Sequence, residues 1–505
     1  MSRTDGERVS LYSVLTLTLL AAGLRFAFIF QPMMHDEAVN YMYFASHPLS
    51  FGLSHYPYPN NHLLNTLLVH FTTRLMGNSP FVIRLPAFVA GILLIPATYF
   101  LIRELYNRDA AILAAALVVP SSQLIAYSAD ARGFTIQALI FLLIIIISIR
   151  VMRKDNLAWW GAFAVLSALG FYTIPTMLYF FSAVVLWLLL SAVFKDIDGR
   201  RWVFITKLTA ACAATAVLVL LMYLPVIHTS GLASITSNTW VKSLSSSSFW
   251  KGLGPAAKDY WQAWNKDIPL PVSILLLMGV ISSMLFHKRI SKIRVNLIYP
   301  VLASCLFLVS FQRVLPPARV WLPLLPLYLG FSAAGLFYIG SRLWAYVRER
   351  RPAVQAVRKT FPVFAVAVAV ILGILVLISQ SPYQPQDQVR LRDAESIALT
   401  LKRELRPGDI IYVEPNVRKP LEYYFIRNRI PLKYLYMWPE DLHKKFIGLK
   451  RAFLIDASKE GHVYGIQQAL NASNLNPSRT YNVRELVGLP HSSIDLVVNP
   501  SFSES

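Results

Sequence analysis

The chain alternates long apolar runs with short charged loops over its first 380 residues. A helix needs about 20 apolar residues to cross a bilayer. Eleven runs approach or reach that length, at 11–30, 81–101, 110–127, 134–149, 157–172, 176–194, 203–227, 268–286, 296–312, 320–341 and 361–380. The pattern therefore predicts an α-helical polytopic membrane domain over residues 1–380, with about eleven transmembrane helices.

The pattern changes after residue 380. Short apolar runs of β type alternate with helical stretches. The β-type runs lie at 409–414, 452–456 and 494–499, and the helical stretches at 393–405 and 420–427. This alternation predicts a small α/β domain over residues 381–505.

The segment 31–80, between the first two spans, is long for a connector. It contains a turn rich in Pro and Asn, followed by apolar residues at helical spacing. We expect two short helices here that lie along the membrane surface, with aromatic residues in the headgroup zone. The aromatic residues fit membrane anchoring better than stacking on a substrate.

Composition agrees with a membrane protein. Mean hydropathy is +0.48, and 15% of residues are charged, against about 25% in soluble domains. The only cysteines, Cys212 and Cys305, both lie inside apolar runs, so neither a disulfide framework nor a thiolate metal site is indicated. The first apolar run is too long for the hydrophobic part of a signal peptide and is expected to be retained.

Lysine and arginine mark alternate loops and set the predicted orientation. Five basic loops alternate with sparsely charged ones; they carry Arg103 and Arg108, then Arg150 to Lys154, then Lys195 to Lys207, then Lys288 to Arg294, and last Arg342 to Lys359. These loops and the amino terminus are therefore expected in the cytoplasm of a bacterium, and residues 381–505 outside its inner membrane. The net charge of +21 is spread over these loops, which favours anionic lipid over nucleic acid as its partner.

Three outer elements place charged residues at the ends of predicted spans. They are His35-Asp36-Glu37, Tyr127-Ser-Ala-Asp-Ala-Arg-Gly-Phe134 and Gln312-Arg-Val-Leu-Pro-Pro-Ala-Arg-Val-Trp321. Arginine binds phosphate through two donors at once and stays charged when partly buried, and a carboxylate can take a proton from an attacking hydroxyl. Each element alone has a plainer explanation as a solvated acid, an internal ion pair or a headgroup anchor. Their recurrence on one side favours a single reaction site.

Two further stretches complete an ordered set of motifs. They are Asn60-Asn-His-Leu-Leu-Asn-Thr-Leu-Leu and Leu75-Met-Gly-Asn-Ser-Pro-Phe-Val-Ile-Arg-Leu-Pro-Ala-Phe-Val-Ala-Gly91. The set resembles the GT-C superfamily of integral-membrane glycosyltransferases, in the branch of the protein O-mannosyltransferases and the aminoarabinose transferases of lipid A. The resemblance covers residues 10–340 and says little about which sugar is transferred.

The resemblance implies a polyprenyl-phosphate-linked sugar as the donor, bound from the outer leaflet. It implies that Asp36 is the general base for the acceptor hydroxyl and that Glu37 orients the acceptor or the base. Asp130 and Arg132 match the second-loop element of the family, in which Arg132 holds the donor phosphate. Arg319 is the other phosphate candidate, although the chain has Arg-Val-Trp where relatives often show Arg-Tyr.

Three more residues of these motifs are expected to contact substrate: His62, Arg313 and Tyr127. His62 stands where many members carry Pro-Pro-Leu, so the resemblance assigns it no established role. A divalent metal ion is an open alternative for part of the cationic role, and its candidate ligands are His35, Asp36, Glu37 and Asp130. Some members of the superfamily use a metal and others do not.

The chemistry supports this interpretation independently. Attack at an anomeric carbon with a phosphate leaving group passes through an oxocarbenium-like state, which needs positive charge at the phosphate and one base opposite it. Such a single displacement inverts the anomeric centre. The acceptor stays open between a lipid, a polysaccharide and a protein hydroxyl, as part of cell-envelope glycosylation.

Two other classes of protein compete with the enzyme. A transporter or lipid flippase also has buried ionisable groups, but usually near the bilayer midplane on broken helices of repeated halves. This chain shows no repeated half and few ionisable residues inside its spans, such as Arg25. A non-catalytic anchor for the outer domain would not need eleven spans.

Overall fold

The computed structural model describes residues 3–197, 199–236, 243–350, 357–380, 382, 391–436, 450–457 and 482–498. The chain divides into two compact units. The first comprises Met1–Ile29, Pro48–Leu75 and Ile83–Pro385, and the second comprises Phe30–His47, Met76–Val82 and Gln386–Ser505. The domain boundary at residue 380 stays a prediction, and these units group two segments of the first outer loop with the C-terminal residues.

Helices dominate the part of the chain that the structure describes. Numbered in chain order, they are α1 (Arg3–Phe28), α2 (His35–Asn40), α3 (Leu49–Gly52), α4 (Leu63–Met76), α5 (Pro80–Leu105), α6 (Arg108–Val118), α7 (Ser122–Ser128), α8 (Phe134–Arg153), α9 (Leu157–Thr173), α10 (Met177–Val193), α11 (Arg201–Ser230), α12 (Ala233–Thr236), α13 (Ser246–Trp264), α14 (Leu270–Leu285), α15 (His287–Ile290), α16 (Ile298–Gln312), α17 (Leu325–Arg350), α18 (Val357–Ser379), α19 (Ala394–Glu404) and α20 (Pro415–Arg427). A π-helical segment, Tyr41–Ala45, follows α2, and two 3-10 helices occupy Ala318–Leu324 and Leu432–Tyr434.

Helices occupy all eleven predicted spans. Six of the described segments are long and apolar enough to cross a membrane: Glu7–Phe28, Pro80–Leu105, Phe134–Arg153, Arg201–Ser230, Ala318–Tyr346 and Phe361–Ser379. The pair α6 and α7 makes a seventh if it is one bent span, and α9, α10, α14 and α16 are shorter apolar helices. The polytopic helical fold is confirmed, and the number of eleven crossings stays a prediction.

The first outer loop is more helical than expected. Residues 31–80 contain three α-helices, α2, α3 and α4, where the sequence predicted two. Two of the three are short, at six residues for α2 and four for α3. Isolated helices of that length are not stable in water, so tertiary contacts that a local pattern does not record must hold them.

A bend between α6 and α7 sets the position of the turn that follows them. The two helices meet at 63°, and Pro120 lies in the break, where it cannot donate a helical hydrogen bond. The guanidinium of the fully buried Arg25 spans the break, because Nη1 donates to the Val119 carbonyl at 3.3 Å and Nε donates to Ser128 Oγ at 3.2 Å. These bonds offset part of the cost of a buried charge and fix the outer end of α7.

The second unit contains a five-stranded sheet. Its strands are β1 (Ile410–Tyr412), β2 (Leu435–Tyr436), β3 (Arg451–Asp456), β4 (Asn482–Gly488) and β5 (Ser493–Val498), in the spatial order β2-β1-β3-β5-β4. β1 is parallel to β2 and β3, whereas β5 is antiparallel to β3 and β4. The predicted α/β domain is confirmed in β1, β3, β5, α19 and α20. The sequence missed β2, which has two residues, and β4, which carries Arg484 and Glu485 at its centre.

Candidate active site

In the second unit, the acidic pair lies at the start of α2. The backbone N–H of Met34 donates to Glu37 Oε1 at 2.8 Å, so the Glu37 carboxylate closes the helix N-terminus as in half of a capping box. Glu37 is fully buried, whereas Asp36 is partly exposed. The geometry therefore gives Glu37 a structural task and leaves Asp36 as the accessible carboxylate. His35 begins the same helix and is also partly exposed.

In the first unit, the turn between α7 and α8 carries the second motif. The backbone N–H of Arg132 donates to the Asp130 carbonyl at 2.7 Å, which makes the turn tight. Both side chains are buried, and the Arg132 guanidinium lies 4.8 Å from the centre of the Phe134 ring. Tyr127 is buried edge-on against the same ring, with centroids 5.2 Å apart. Tyr127 and Arg132 therefore both contact the Phe134 ring.

His62 is bonded to this turn. The backbone N–H of Gly133 donates to His62 Nδ1 at 2.8 Å, so Nδ1 has no proton and a neutral His62 carries its proton on Nε2. Burial lowers the pKa of His62 well below its ordinary value, and the positive charges of Arg132 and Arg319 lower it further. His62 is therefore a neutral donor at physiological pH.

Glycine at position 133 allows this approach. A Cβ atom there would lie 2.7 Å from Thr173 Cγ2 and 3.2 Å from His62 Cβ. Asn65, one helical turn beyond His62, adds a second tie, because its Nδ2 donates to the Ala131 carbonyl at 2.8 Å. The sequence pattern did not mark Asn65, although its position three residues after His62, in the first turn of α4, was a usable signal.

The third motif forms the 3-10 helix Ala318–Leu324, and here Arg319 is half-buried. Two contacts from α13 and the residues just before it hold this region: Tyr260 Oη on α13 donates to the Pro316 carbonyl at 2.5 Å, and Leu244 N–H donates to the Arg313 carbonyl at 2.8 Å. Arg313 has a left-handed backbone with φ of 51° and an exposed side chain. None of the contacts described for that side chain joins it to His62 or Arg132.

The first unit therefore brings together residues from three motifs: His62, Arg132, Arg319, Asp130 and Tyr127. The charges of Arg132 and Arg319 both act on the neutral imidazole of His62, and this combination suits an oxyanion with several oxygens. His35, Asp36 and Glu37 belong to the second unit. Among the residues that the structure describes, no group of three His, Cys, Asp or Glu side chains could hold a metal ion, so we derive no step through one.

Comparisons with known proteins address the same region. Residues 62–228 match the family model described as dolichyl-phosphate-mannose-protein mannosyltransferase. The matched segment includes His62, Asp130 and Arg132. No curated protein is similar enough in sequence to match the chain.

Solved structures extend the likeness to the whole chain. The structure of ArnT from Cupriavidus metallidurans bound to undecaprenyl phosphate superposes with a TM-score of 0.59 at 12% identity, over 98% of each chain. The chain has the GT-C fold. The archaeal oligosaccharyltransferase AglB from Archaeoglobus fulgidus, in complex with an inhibitory peptide and a dolichol-phosphate, superposes with a TM-score of 0.55 at 12% identity, over 91% of this chain and 70% of its own. The resemblance to the GT-C superfamily of membrane glycosyltransferases is confirmed.

Proposed function

We propose that this GT-C protein transfers a sugar from a polyprenyl-phosphate donor to an acceptor hydroxyl, with inversion, on the extracytoplasmic face of a bacterial inner membrane. The observation that carries the proposal is the buried cluster at the turn after α7, where the His62 ring and the Arg132 guanidinium both lie against Phe134 and Gly133 N–H donates to His62 Nδ1. The charges of Arg132 and Arg319 both act on this imidazole. The ligands of the ArnT and AglB structures, undecaprenyl phosphate and a dolichol-phosphate, support the choice of donor.

The donor phosphate binds at this cluster. Its non-bridging oxygens accept hydrogen bonds from the guanidinium groups of Arg132 and Arg319 and from Nε2–H of His62. As the bond between the anomeric carbon and the phosphate oxygen breaks, that oxygen keeps the electron pair and the phosphate gains negative charge. Because this charge spreads over the phosphate, donors already aimed at its non-bridging oxygens stabilise the transition state more than the ground state.

The acceptor reacts at the opposite face of the sugar. Its hydroxyl oxygen forms the new bond to the anomeric carbon while its proton passes to the Asp36 carboxylate. Polyprenyl phosphate and an inverted glycoside are the products. Buried Glu37 does not touch the reactants in this mechanism but holds the start of α2, which carries Asp36.

Binding of undecaprenyl phosphate to the purified protein in lipid nanodiscs tests the phosphate site. Arg132→Ala and Arg319→Ala should each weaken binding about tenfold or more, because a hydrogen bond to a charged group contributes about 1.5–3 kcal/mol. Lysine at either position should restore only part of the affinity, since the planar fork is lost. Arg289→Ala, in a predicted cytoplasmic loop, is the matched control and should bind normally. Equal affinity in all the variants would place the phosphate elsewhere.

A further inference from the structure

In the second unit, a helix of the first outer loop packs against a helix of the C-terminal domain. α2, which carries Asp36, packs against α20. The rings of Tyr41 and Tyr423 meet edge to face with centroids 5.9 Å apart, and Tyr423 Oη donates to the Asn78 carbonyl at 2.7 Å. Both tyrosines are buried, so this is a packed junction between a helix of the C-terminal domain and the loop.

A second contact lies one turn earlier on α20. Lys419 Nζ donates to Tyr43 Oη at 2.6 Å and lies 4.8 Å from the centre of the Tyr43 ring. The ammonium also donates to Glu422 Oε2 at 2.8 Å. Burial alone would lower the pKa of Lys419, but hydrogen bonds to Glu422 and Tyr43 raise it above its ordinary value. Lys419 therefore stays charged and strengthens both bonds.

These contacts share one face of α20, because Lys419 and Tyr423 are four residues apart. They reach two separate parts of the loop, the π-helical turn directly after α2 and the residue Asn78. A helix of six residues such as α2 is not stable by itself. Glu37 closes its beginning, and α20 packs against α2.

We propose that α20 positions α2, so that the C-terminal domain serves catalysis by holding Asp36. Lys419 and Tyr423 are then positioning residues for the base. This inference rests on the proposed function for the role of Asp36 and on the packing of the second unit for the rest. Displacing a reacting group by about 1 Å can slow a reaction about 100-fold, so loosening this junction should lower kcat more than it raises KM for the lipid donor.

Hydrogen exchange of the full-length protein in nanodiscs tests the packing, and transfer kinetics test the consequence. The variants are Lys419→Met, Tyr423→Phe and the double variant, with Lys419→Arg as the conservative replacement. Arg427→Ala is the matched control, since Arg427 lies on the same helix in an exposed ion pair with Glu395 at 3.4 Å. We expect amide exchange in residues 30–47 to rise at least about tenfold in the double variant, with exchange in β3 unchanged. kcat should fall at least about tenfold, KM for the donor should change less than about twofold, and Lys419→Arg should recover part of the rate.

Unchanged exchange in 30–47 would overturn the proposal whatever the activity. Faster exchange with normal kcat would also overturn it, because α20 would then stabilise the loop without aiming the base. If exchange in β3 rises as well, the whole C-terminal domain has loosened. The single variant Tyr423→Phe, which removes only one hydroxyl, then tests the proposal by the same measurements of exchange in 30–47 and of kcat. If the wild-type protein transfers no sugar, the proposed function fails, and exchange alone still decides whether α20 holds α2.

Discussion

Gly133→Ala is a small change at the point where the motifs meet. The backbone at Gly133 has φ of −77° and ψ of 5°, which alanine adopts freely, so the effect of the substitution is steric. The new methyl group would lie 2.7 Å from Thr173 Cγ2, 3.2 Å from His62 Cβ and 3.3 Å from His62 Nδ1. Ordinary contacts between such atoms begin at 3.4 Å, and therefore α9 or His62 must move by several tenths of an ångström.

This movement displaces the His62 imidazole. Overpacking a well-packed site costs about 1–3 kcal/mol, and the bond from Gly133 N–H to Nδ1, which fixes the tautomer of His62, weakens. A donor displaced by this distance should lose most of its contribution to the transition state, so we expect kcat/KM to fall about 10- to 100-fold.

Initial rates of sugar transfer and thermal melting of the protein in detergent measure the two effects. Gly161→Ala in α9 is the matched control, because a Cβ there meets nothing within 4 Å and alanine favours a helix by about 1 kcal/mol. The control should melt at or above the wild-type temperature and keep its full rate. A Gly133→Ala protein that equals the control in rate would show that His62 does not take part.

Three further predictions concern Asp36, His62 and the orientation of the chain in the membrane. Asp36→Asn should abolish transfer while binding of undecaprenyl phosphate and thermal melting stay near wild type; a purified Asn variant with full activity would remove Asp36 from the mechanism. Because the folded protein lowers the pKa of His62, its imidazole stays neutral below pH 6.5, whereas the imidazole of the unfolded chain binds a proton below that pH. The free energy of unfolding should therefore fall by up to about 1.4 kcal/mol per pH unit as the pH drops below 6.5. His62→Gln should flatten this part of the pH–melting curve, and an identical slope in both proteins would refute it. For orientation, cysteines at Ser54 and Ser396 should react with an impermeant maleimide on spheroplasts and one at Ser291 should not; labelling at Ser291 alone would invert the protein.

The hydropathy pattern located the membrane helices because a long apolar run leaves the backbone no alternative to a helix in lipid. It could not show the bend between α6 and α7, because that depends on Arg25, distant in sequence, as well as on Pro120. Nor could it give the bounds of α2, whose first turn is closed by Glu37 and which packs against α20.

The candidate site was predictable to the extent that its residues belong to recognisable motifs. Asp130, Arg132, His62 and Arg319 were named from the sequence, and the structure places them in one unit. The bond between Gly133 and His62 was not predictable, since it joins residues from two loops. The same reasoning named Arg313, whose backbone turns left-handed at the end of α16 and whose side chain is exposed; its contact with substrate stays a prediction.

The lipid-linked sugars of cells that lack this protein test the central claim most directly. Mass spectrometry of extracted polyprenyl-phosphate sugars should show one species that accumulates in the deletion strain and is cleared by the wild-type gene. Complementation with Arg132→Ala or Asp36→Asn should leave it accumulated, and the control Gly161→Ala should clear it. An identical lipid-linked sugar profile in deletion and wild-type cells would contradict a polyprenyl-phosphate sugar as the donor.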